Sequence, residues 1–297
     1  MKTKQALQWL IPVIAVLAMI SAFAGLFWPI TGVPFEFTTL HGQNAQMAGQ
    51  GLYAFDTQMV AAGFRGTDII TLLVAIPLLV LAYRLFRQGS LRGDLLLLAA
   101  LTFFLYNGLS LTFAAAFNPM YLVYMLLFSA SLFAFIVAMT SIDIKRLQAA
   151  ISTRMPYKPM AVFLFIAGGV VLLLWGSEIT ASLISGVPPA FLASYTTPVT
   201  HALDMGIIAP AAFLAGLLLW KKNSFGIILG FPLLVLNGQI GLCVISQTIM
   251  QLKAGVVFSL GQLIGMVSSW VVLAGFAVGL SISVYRNIQE SAPVKTK

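Results

Sequence analysis

Three side chains that could move a proton or hold a charge occur close together in this sequence. Glu178 precedes a Gly-Val-Pro turn, and His201 and Asp204 follow that turn, three residues apart. Residues three apart on a helix lie on one face, so the imidazole and the second carboxylate would point the same way. A histidine and two carboxylates can transfer protons, bind a cation or hold a charged solute. These residues are the first candidates for a functional site.

Further polar residues interrupt apolar segments, where an ionisable side chain is a functional candidate. Asp68 follows Arg65 by three residues, and amides occur at Asn107, Asn237 and Gln239. The predicted ligand- or ion-binding set is Glu178, His201, Asp204, Asp68, Arg65, Asn107, Asn237 and Gln239.

Each of these residues also has a structural interpretation. Asp68 follows Thr67, and the simplest role for it is a cap or dipole partner at the start of a helix. An amide can bond one helix to another, which contributes ~0.6 kcal/mol. Glu178 and Asp204 are each six residues from the outer end of a predicted helix, which is about 9 Å at 1.5 Å per residue. If the two helices are neighbours, Glu178, His201 and Asp204 meet at one depth. If the helix ends fall one turn away, the same residues lie at the wet interface, and both interpretations are open.

The sequence lacks the signatures of most catalytic and metal sites. It contains two histidines, His41 and His201, and a single cysteine, Cys243, which excludes a disulfide scaffold. Neither a His-Glu-x-x-His nor a Gly-x-Ser-x-Gly signature occurs. We therefore predict no metal site and no cofactor, and a non-enzymatic function is favoured over an enzymatic one.

The composition indicates that these residues are carried by membrane-spanning elements. Of the 297 residues, 60% are hydrophobic and 8% are charged, and the mean hydropathy is +0.99. A soluble domain carries roughly 25% charged residues. The net charge of +8 comes from 16 basic residues in small groups between apolar segments, which is typical of membrane topology. Membrane lipids are therefore the predicted surroundings, and no nucleic-acid partner is predicted.

Apolar runs of ~20 residues, long enough to cross a bilayer, predict the fold. The predicted helices cover residues 6–30, 67–84, 94–117, 119–140, 160–184, 198–220, 226–250 and 256–285. The fold class is all-α, a polytopic integral membrane bundle of eight helices that forms one domain over residues 1–297. The start of the chain resembles a signal peptide, with Ala22-Phe23-Ala24 as a cleavage site, but the apolar run continues to Ile30. This favours an uncleaved first span.

The basic residues predict the orientation. With the N-terminus in the cytoplasm, the cytoplasmic segments hold fourteen of them: Lys2, Lys4, Arg84, Arg87, Arg92, Lys145, Arg146, Arg154, Lys158, Lys221, Lys222, Arg286, Lys295 and Lys297. The outer side holds Arg65 and Lys253. Cytoplasmic loops are enriched in Lys and Arg, so both termini are predicted to be cytoplasmic.

The two halves of the chain resemble each other weakly. The second and sixth spans each carry an aspartate followed by a proline: Asp68 with Pro77, and Asp204 with Pro210. Four helices per half would give both halves the same orientation. We therefore predict a 4+4 parallel repeat, with units 1–150 and 151–297. The long first external loop, residues 31–66, is predicted to be a short interfacial amphipathic helix, a lid over the bundle or a polar connector.

Five short segments are similar to a family of uncharacterised bacterial polytopic membrane proteins. They are Phe64–Asp68 (FRGTD), Gly89–Gly93 (GSLRG), Phe104–Asn107 (FLYN), Phe117–Pro119 (FNP) and Thr200–Asp204 (THALD). The resemblance implies a location in the bacterial inner membrane. It implies no activity and supplies no catalytic or binding residues.

The function predicted from these features is the binding or transport of a small molecule or ion through an outward-facing polar pocket. Prolines in three spans, Pro77, Pro210 and Pro232, can kink helices and favour transport. Two alternatives stay open. The first is an intramembrane enzyme that uses the histidine and carboxylates, and the second is a non-catalytic membrane partner or sensor subunit. The sequence does not predict the oligomeric state.

Overall fold

The protein is an all-helical bundle in the computed structural model, which describes residues 2–290. Eight of its helices are long and apolar enough to cross a membrane, as the sequence predicts. They are α1 (Gln5–Phe27), α2 (Gln58–Arg87), α3 (Leu91–Ala114), α4 (Tyr121–Ser141), α5 (Tyr157–Ser185), α6 (Val199–Trp220), α7 (Ser224–Lys253) and α8 (Leu260–Arg286). A short helix, Ile144–Ala150, joins α4 to α5. The predicted Lys295 and Lys297 lie outside the described residues.

Helix α2 begins nine residues before its predicted start at residue 67. The side chain of Thr57 caps this helix by accepting a hydrogen bond from the backbone N–H of Val60 (3.3 Å). A Cβ at Gly66 would lie 2.5 Å from the backbone of Gln247, so the two helices approach closely at this glycine. The glycines and polar residues that resemble a loop in the sequence are therefore a helix–helix contact with α7.

Three of the spanning helices contain a π-helical turn: Thr71–Ala75 in α2, Asp204–Ile208 in α6 and Leu263–Val267 in α8. In α2 and α6 the π turn is followed by a proline, Pro77 or Pro210, in the first turn of the next α-helical segment. Proline lacks the N–H that an α-helix requires, and a π turn rearranges the bonds before it. The two halves thus share a sequence feature and its local geometry.

Helices α3 and α7 form the interior of the bundle. Their most apolar stretches are 72% and 67% buried, whereas those of the other spanning helices are 12–39% buried. Helix α7 contacts α2, α3, α6 and α8, while α3 contacts α2, α4 and α7. Consecutive helices also pair alike in the two halves, but the 4+4 repeat itself stays a prediction.

One end of the bundle carries four connecting segments, 28–57, 115–120, 186–198 and 254–259, and we call it the long-loop end. The first segment contains an antiparallel hairpin, Phe35–Thr38 with Asn44–Met47, in which Phe35 is opposite Met47. The side chain of Gln43 donates a hydrogen bond to the carbonyl of Pro188 (3.4 Å). Of the three alternatives for this loop, the interfacial helix is therefore not formed before residue 58, where a hairpin contacts the segment between α5 and α6.

The opposite end, which we call the basic end, carries the short turns and the end of the described chain. Arg146 donates a hydrogen bond to the carbonyl of Gly89 (2.9 Å), and Ser152 donates one to the carbonyl of Asn287 (2.9 Å). The carboxylate of Glu290 accepts hydrogen bonds from Ser90 and from the backbone N–H of Arg92 (3.0 Å) at the start of α3. The turns that the sequence predicts to be cytoplasmic thus lie together.

Candidate functional site

Asp204 is held at the junction of three helices. It lies at the start of the π turn in α6, and 7% of the residue is exposed. The hydroxyl of Tyr106, on α3, donates a hydrogen bond to Oδ1 (2.8 Å), and the indole N–H of Trp175, on α5, donates one to Oδ2 (3.0 Å). Both carboxylate oxygens are therefore oriented by neutral donors from neighbouring helices.

His201 and Glu178 form the second part of this arrangement. The imidazole Nε2 lies 3.2 Å from Oε2 of Glu178, with 8% of the histidine and 47% of the glutamate side chain exposed. The imidazole ring lies 4.1 Å from the ring of Trp175 and stacks at 4.1 Å on Phe191, measured between centroids. Trp175 therefore contacts both His201 and Asp204, and it joins the three predicted residues into one cluster.

A cavity of about 40 Å³ opens beside Asp204, between α3, α5, α6, α7 and α8. Its polar or aromatic wall consists of Tyr106, Asp204, Asn237 and Trp270, and the other lining side chains are aliphatic or glycine. The amide of Asn237 donates a hydrogen bond to the carbonyl of Leu233 (2.9 Å), and no hydrogen bond to its oxygen is found among the described residues. A cavity needs roughly 10–15 Å³ to hold one water molecule, so this one admits a small polar group.

Asp68 does not cap a helix, which corrects its simplest interpretation. Because α2 begins at Gln58, Asp68 lies in the third turn and is 2% exposed. Its Oδ2 accepts a hydrogen bond from the hydroxyl of Tyr53 (2.9 Å). A Cβ at position 25 would lie 1.9 Å from the same oxygen, so Gly25 on α1 is what admits this carboxylate. Asp68 and Arg65 do not line the cavity beside Asp204.

Two predicted amides also lie away from that cavity. Asn107 is buried on α3. Gln239 is 4% exposed, and neither its Oε1 nor its Nε2 has a hydrogen-bond partner among the described residues. Leaving a buried polar group without a partner costs about 1–3 kcal/mol. The structure therefore brings Glu178, His201, Asp204 and Asn237 to one region and leaves the other four predicted residues elsewhere.

Comparison with protein-family models, curated proteins and solved structures gave no match to this chain. The family resemblance of the five short segments stays a prediction. Among the described residues, no three His, Cys, Asp or Glu side chains are grouped closely enough to hold a metal ion.

The most important residues missing from the predicted set are the donors to the carboxylates. Trp175 lies one helical turn before Glu178, and Tyr106 immediately precedes Asn107, so both could have been found from their spacing. Tyr53 could not, because it lies in the loop before α2 and reaches Asp68 only through the tertiary fold.

Asp56 joins three connecting segments over the long-loop end. Its Oδ1 accepts hydrogen bonds from the hydroxyl of Tyr195 (2.8 Å) and from the backbone N–H of Ala116 (2.9 Å), while its Oδ2 is buried without a partner among the described residues. Burial raises the pKa of Asp56 to about 6, and the two hydrogen bonds oppose that rise. Tyr195 belongs to the segment whose Phe191 stacks on His201. Asp56 therefore anchors the segment that covers the cluster.

Proposed function

We propose that this protein is a multi-pass protein of the bacterial inner membrane that binds or transports a small solute through a polar pocket at the long-loop end. The observation that supports this most directly is the placement of Asp204. It is a buried carboxylate in the wall of a cavity, with both oxygens oriented by Tyr106 and Trp175.

The energetic cost of Asp204 supports a functional role. An aspartate costs ~2.5–3.5 kcal/mol at the centre of a spanning helix on insertion scales, and Asp204, in the second turn of α6, bears a smaller cost of the same kind. Tyr106 and Trp175 donate hydrogen bonds but carry no positive charge, and His201 is the nearest group that could supply one. A carboxylate placed in this way attracts a cation, a proton or the positive end of a solute.

The backbone around Asp204 also supports binding or transport. A π turn is rare and is found frequently at functional sites. Here it begins at Asp204 itself and is followed by Pro210, so α6 departs from regular geometry where its charged residue lies. Irregular backbone inside a membrane is tolerated where protein or a cavity surrounds it. The cavity beside Asp204 provides that surrounding space.

The pocket is proposed to face away from the cytoplasm. The basic end contains most of the Lys and Arg residues of the described chain, and the long-loop end contains Arg65 and Lys253. The positive-inside rule then places the basic end in the cytoplasm. Glu178, which is half exposed, and Phe191 contact His201 at this end of the bundle, next to Asp204 in the chain fold.

Asp204→Asn in the full-length protein tests this function. Purified protein would be heated with separate panels of monovalent cations, small amines, amino acids and sugars, and unfolding would be followed by tryptophan fluorescence. We expect at least one class to raise the Tm of the parent by several degrees, because a ligand that binds only the folded state stabilises it. The same class should leave the Tm of Asp204→Asn unchanged.

Glu36→Gln is the matched control, because Glu36 is an exposed carboxylate on the hairpin of the same end. It should respond to the ligand as the parent does. The proposed function is wrong if no class raises the Tm of the parent, or if Asp204→Asn is stabilised equally.

A further inference from the structure

A second and larger cavity lies at the long-loop end, apart from Asp204. Its volume is about 210 Å³, and it is enclosed by the first connecting segment, the start of α2 and the end of α7. Its polar lining is formed by Arg65, Lys253, Gln50 and Gln58, and no carboxylate of residues 2–290 lines it. It shares no lining residue with the cavity beside Asp204.

Arg65 lines this cavity and brings a positive charge to it. Its Nε is buried and has no hydrogen-bond partner among the described residues. Its Nη2 lies 2.4 Å from where a Cβ would stand at position 51, so Gly51, with φ of +73°, makes the room for the guanidinium. The acid that interacts with Arg65 electrostatically is Asp68, whose Oδ2 already accepts a hydrogen bond from Tyr53.

Lys253 brings a second positive charge. It lies in the last turn of α7, where the helix dipole favours a cation, and its side chain is exposed. Gln58 is already committed, because its amide donates a hydrogen bond to the carbonyl of Ala254 beside Lys253. The dipole of α7 is enough to explain why a lysine lies at this helix end. It does not provide an acceptor for the guanidinium of Arg65. Two cations at one cavity without a carboxylate are an arrangement that suits an anionic oxygen ligand.

We propose that this cavity binds a small oxyanion, with carboxylate or phosphate oxygens on Arg65 and Lys253. Arg65 is the main ligand, because a guanidinium offers paired donors to such a group, and Lys253 adds a point charge. The volume suits an anion of the size of acetate or inorganic phosphate, since it is below the roughly 300–1,000 Å³ of pockets for larger ligands. The anion comes either from solution or from the phosphate of a lipid headgroup. This proposal does not depend on ligand binding at Asp204.

Anion binding can be measured on the full-length protein in detergent. Inorganic phosphate and acetate would be titrated at constant ionic strength against chloride, with the Tm as the readout. We expect saturable stabilisation of the parent by at least one of them. Arg65→Gln should raise the apparent Kd about tenfold or more, and Lys253→Gln should raise it severalfold, because each removes one charge-assisted contact.

Lys145→Gln is the matched control, because Lys145 is an exposed lysine at the basic end, and it should leave the apparent Kd unchanged. If Arg65→Gln does not fold, Lys253→Gln still tests the proposal, because the side chain of Lys253 is exposed and its replacement should not disturb folding. A second titration with short-chain phosphatidylglycerol, followed by native mass spectrometry, identifies the source. Retention of the lipid by the parent and weaker retention by Lys253→Gln would identify a headgroup, while a response to free anions alone would identify a solute.

The proposal is overturned if phosphate, acetate and phosphatidylglycerol all leave the parent no more stable than chloride does. It is also overturned if they stabilise Lys253→Gln and every folded variant of Arg65 as strongly as the parent. Loss of anion binding in these variants, together with an unchanged response of Asp204→Asn to the anions, would support it independently of the proposed function.

Discussion

At the scale of single residues, two aspartates have the same local sequence pattern but different surroundings in the fold. Asp68 and Asp204 both accept a hydrogen bond from a tyrosine and lie near a π turn that is followed by proline. Asp68 is enclosed by Gly25 and Tyr53, whereas Asp204 reaches a cavity and receives a second bond, from Trp175. Access to a cavity is what makes Asp204 the better candidate for ligand binding.

The buried carboxyl group of Asp56 should make the long-loop end sensitive to pH. Its pKa is about 6 in the folded protein, above the ordinary value of 3.8. A raised pKa means that its contribution to stability is complete below about pH 4 and is lost as the pH rises through about 6. Residues 186–198 should therefore exchange their amide hydrogens about tenfold more slowly at pH 5 than at pH 7.5, after correction for intrinsic rates.

The matching variant for this experiment is Asp56→Asn. It retains an oxygen that can accept the hydrogen bonds from Tyr195 and Ala116, but it has no proton to lose as the pH rises. The corrected exchange of residues 186–198 should then be the same at both pH values. A tenfold difference that persists in Asp56→Asn would show that another group controls this segment.

The contact between α2 and α7 determines, at the scale of elements, where the second span begins. Residues 58–66 contain Arg65 and two glycines, and this interruption placed the predicted start of the span after them. They form two further turns of α2 because Gly66 lets the helix lie against the backbone of Gln247, whose side chain donates a hydrogen bond to Thr67 (2.8 Å). The length of α2 is thus a consequence of its neighbour.

Gly66→Ala should destabilise the protein by about 1–3 kcal/mol, because its Cβ would meet the backbone of α7 at 2.5 Å and the helices would have to separate. Gly63→Ala is the control in the same helix, since its Cβ would meet only the flexible amide of Gln251, at 3.4 Å. Unfolding of both variants in denaturant measures the difference. Equal stability of the two would show that α2 and α7 are not in the close contact described here.

At the scale of the whole molecule, the uneven distribution of basic residues between the two ends predicts its orientation in the membrane. The basic end carries turns that contact one another through Arg146 and Glu290, and the long-loop end carries Arg65, Lys253 and the cavity that they line. If the basic end faces the cytoplasm, ligands reach Arg65 and the Glu178–His201 pair from outside. The orientation therefore decides which compartment supplies the ligand.

Reporter fusions test this orientation directly. A reporter that is active only in the cytoplasm should give signal when it is fused after Arg92, Arg154 or Lys222. It should give none after Gln50 or Ala193, because those positions lie in connecting segments of the long-loop end. A periplasmic reporter at the same sites should give the opposite pattern. Cytoplasmic activity after Gln50 would invert the orientation and place the cavity lined by Arg65 and Lys253 on the cytoplasmic side.

The number of spanning helices was determined by the sequence alone, because the requirement is local. Each span must bury an apolar surface and satisfy its own backbone hydrogen bonds, so ~20 consecutive apolar residues are sufficient to identify it. His201 and Asp204 could be recognised as a pair for a similar reason, because they are three residues apart on one helix. The uneven distribution of Lys and Arg, which predicts the orientation, can likewise be counted from the sequence without knowing how the helices pack.

Only the tertiary structure decided which polar residues meet. Asp204 receives its donors from α3 and α5, and Asp68 receives its donor from a loop, so neither environment follows from nearby sequence. Arg65 was predicted to share a pocket with Asp204 but lines a different cavity with Lys253, nearly 190 positions along the chain. Such pairings depend on the summed packing of whole helix faces, in which a glycine such as Gly25 or Gly66 matters as much as a charge.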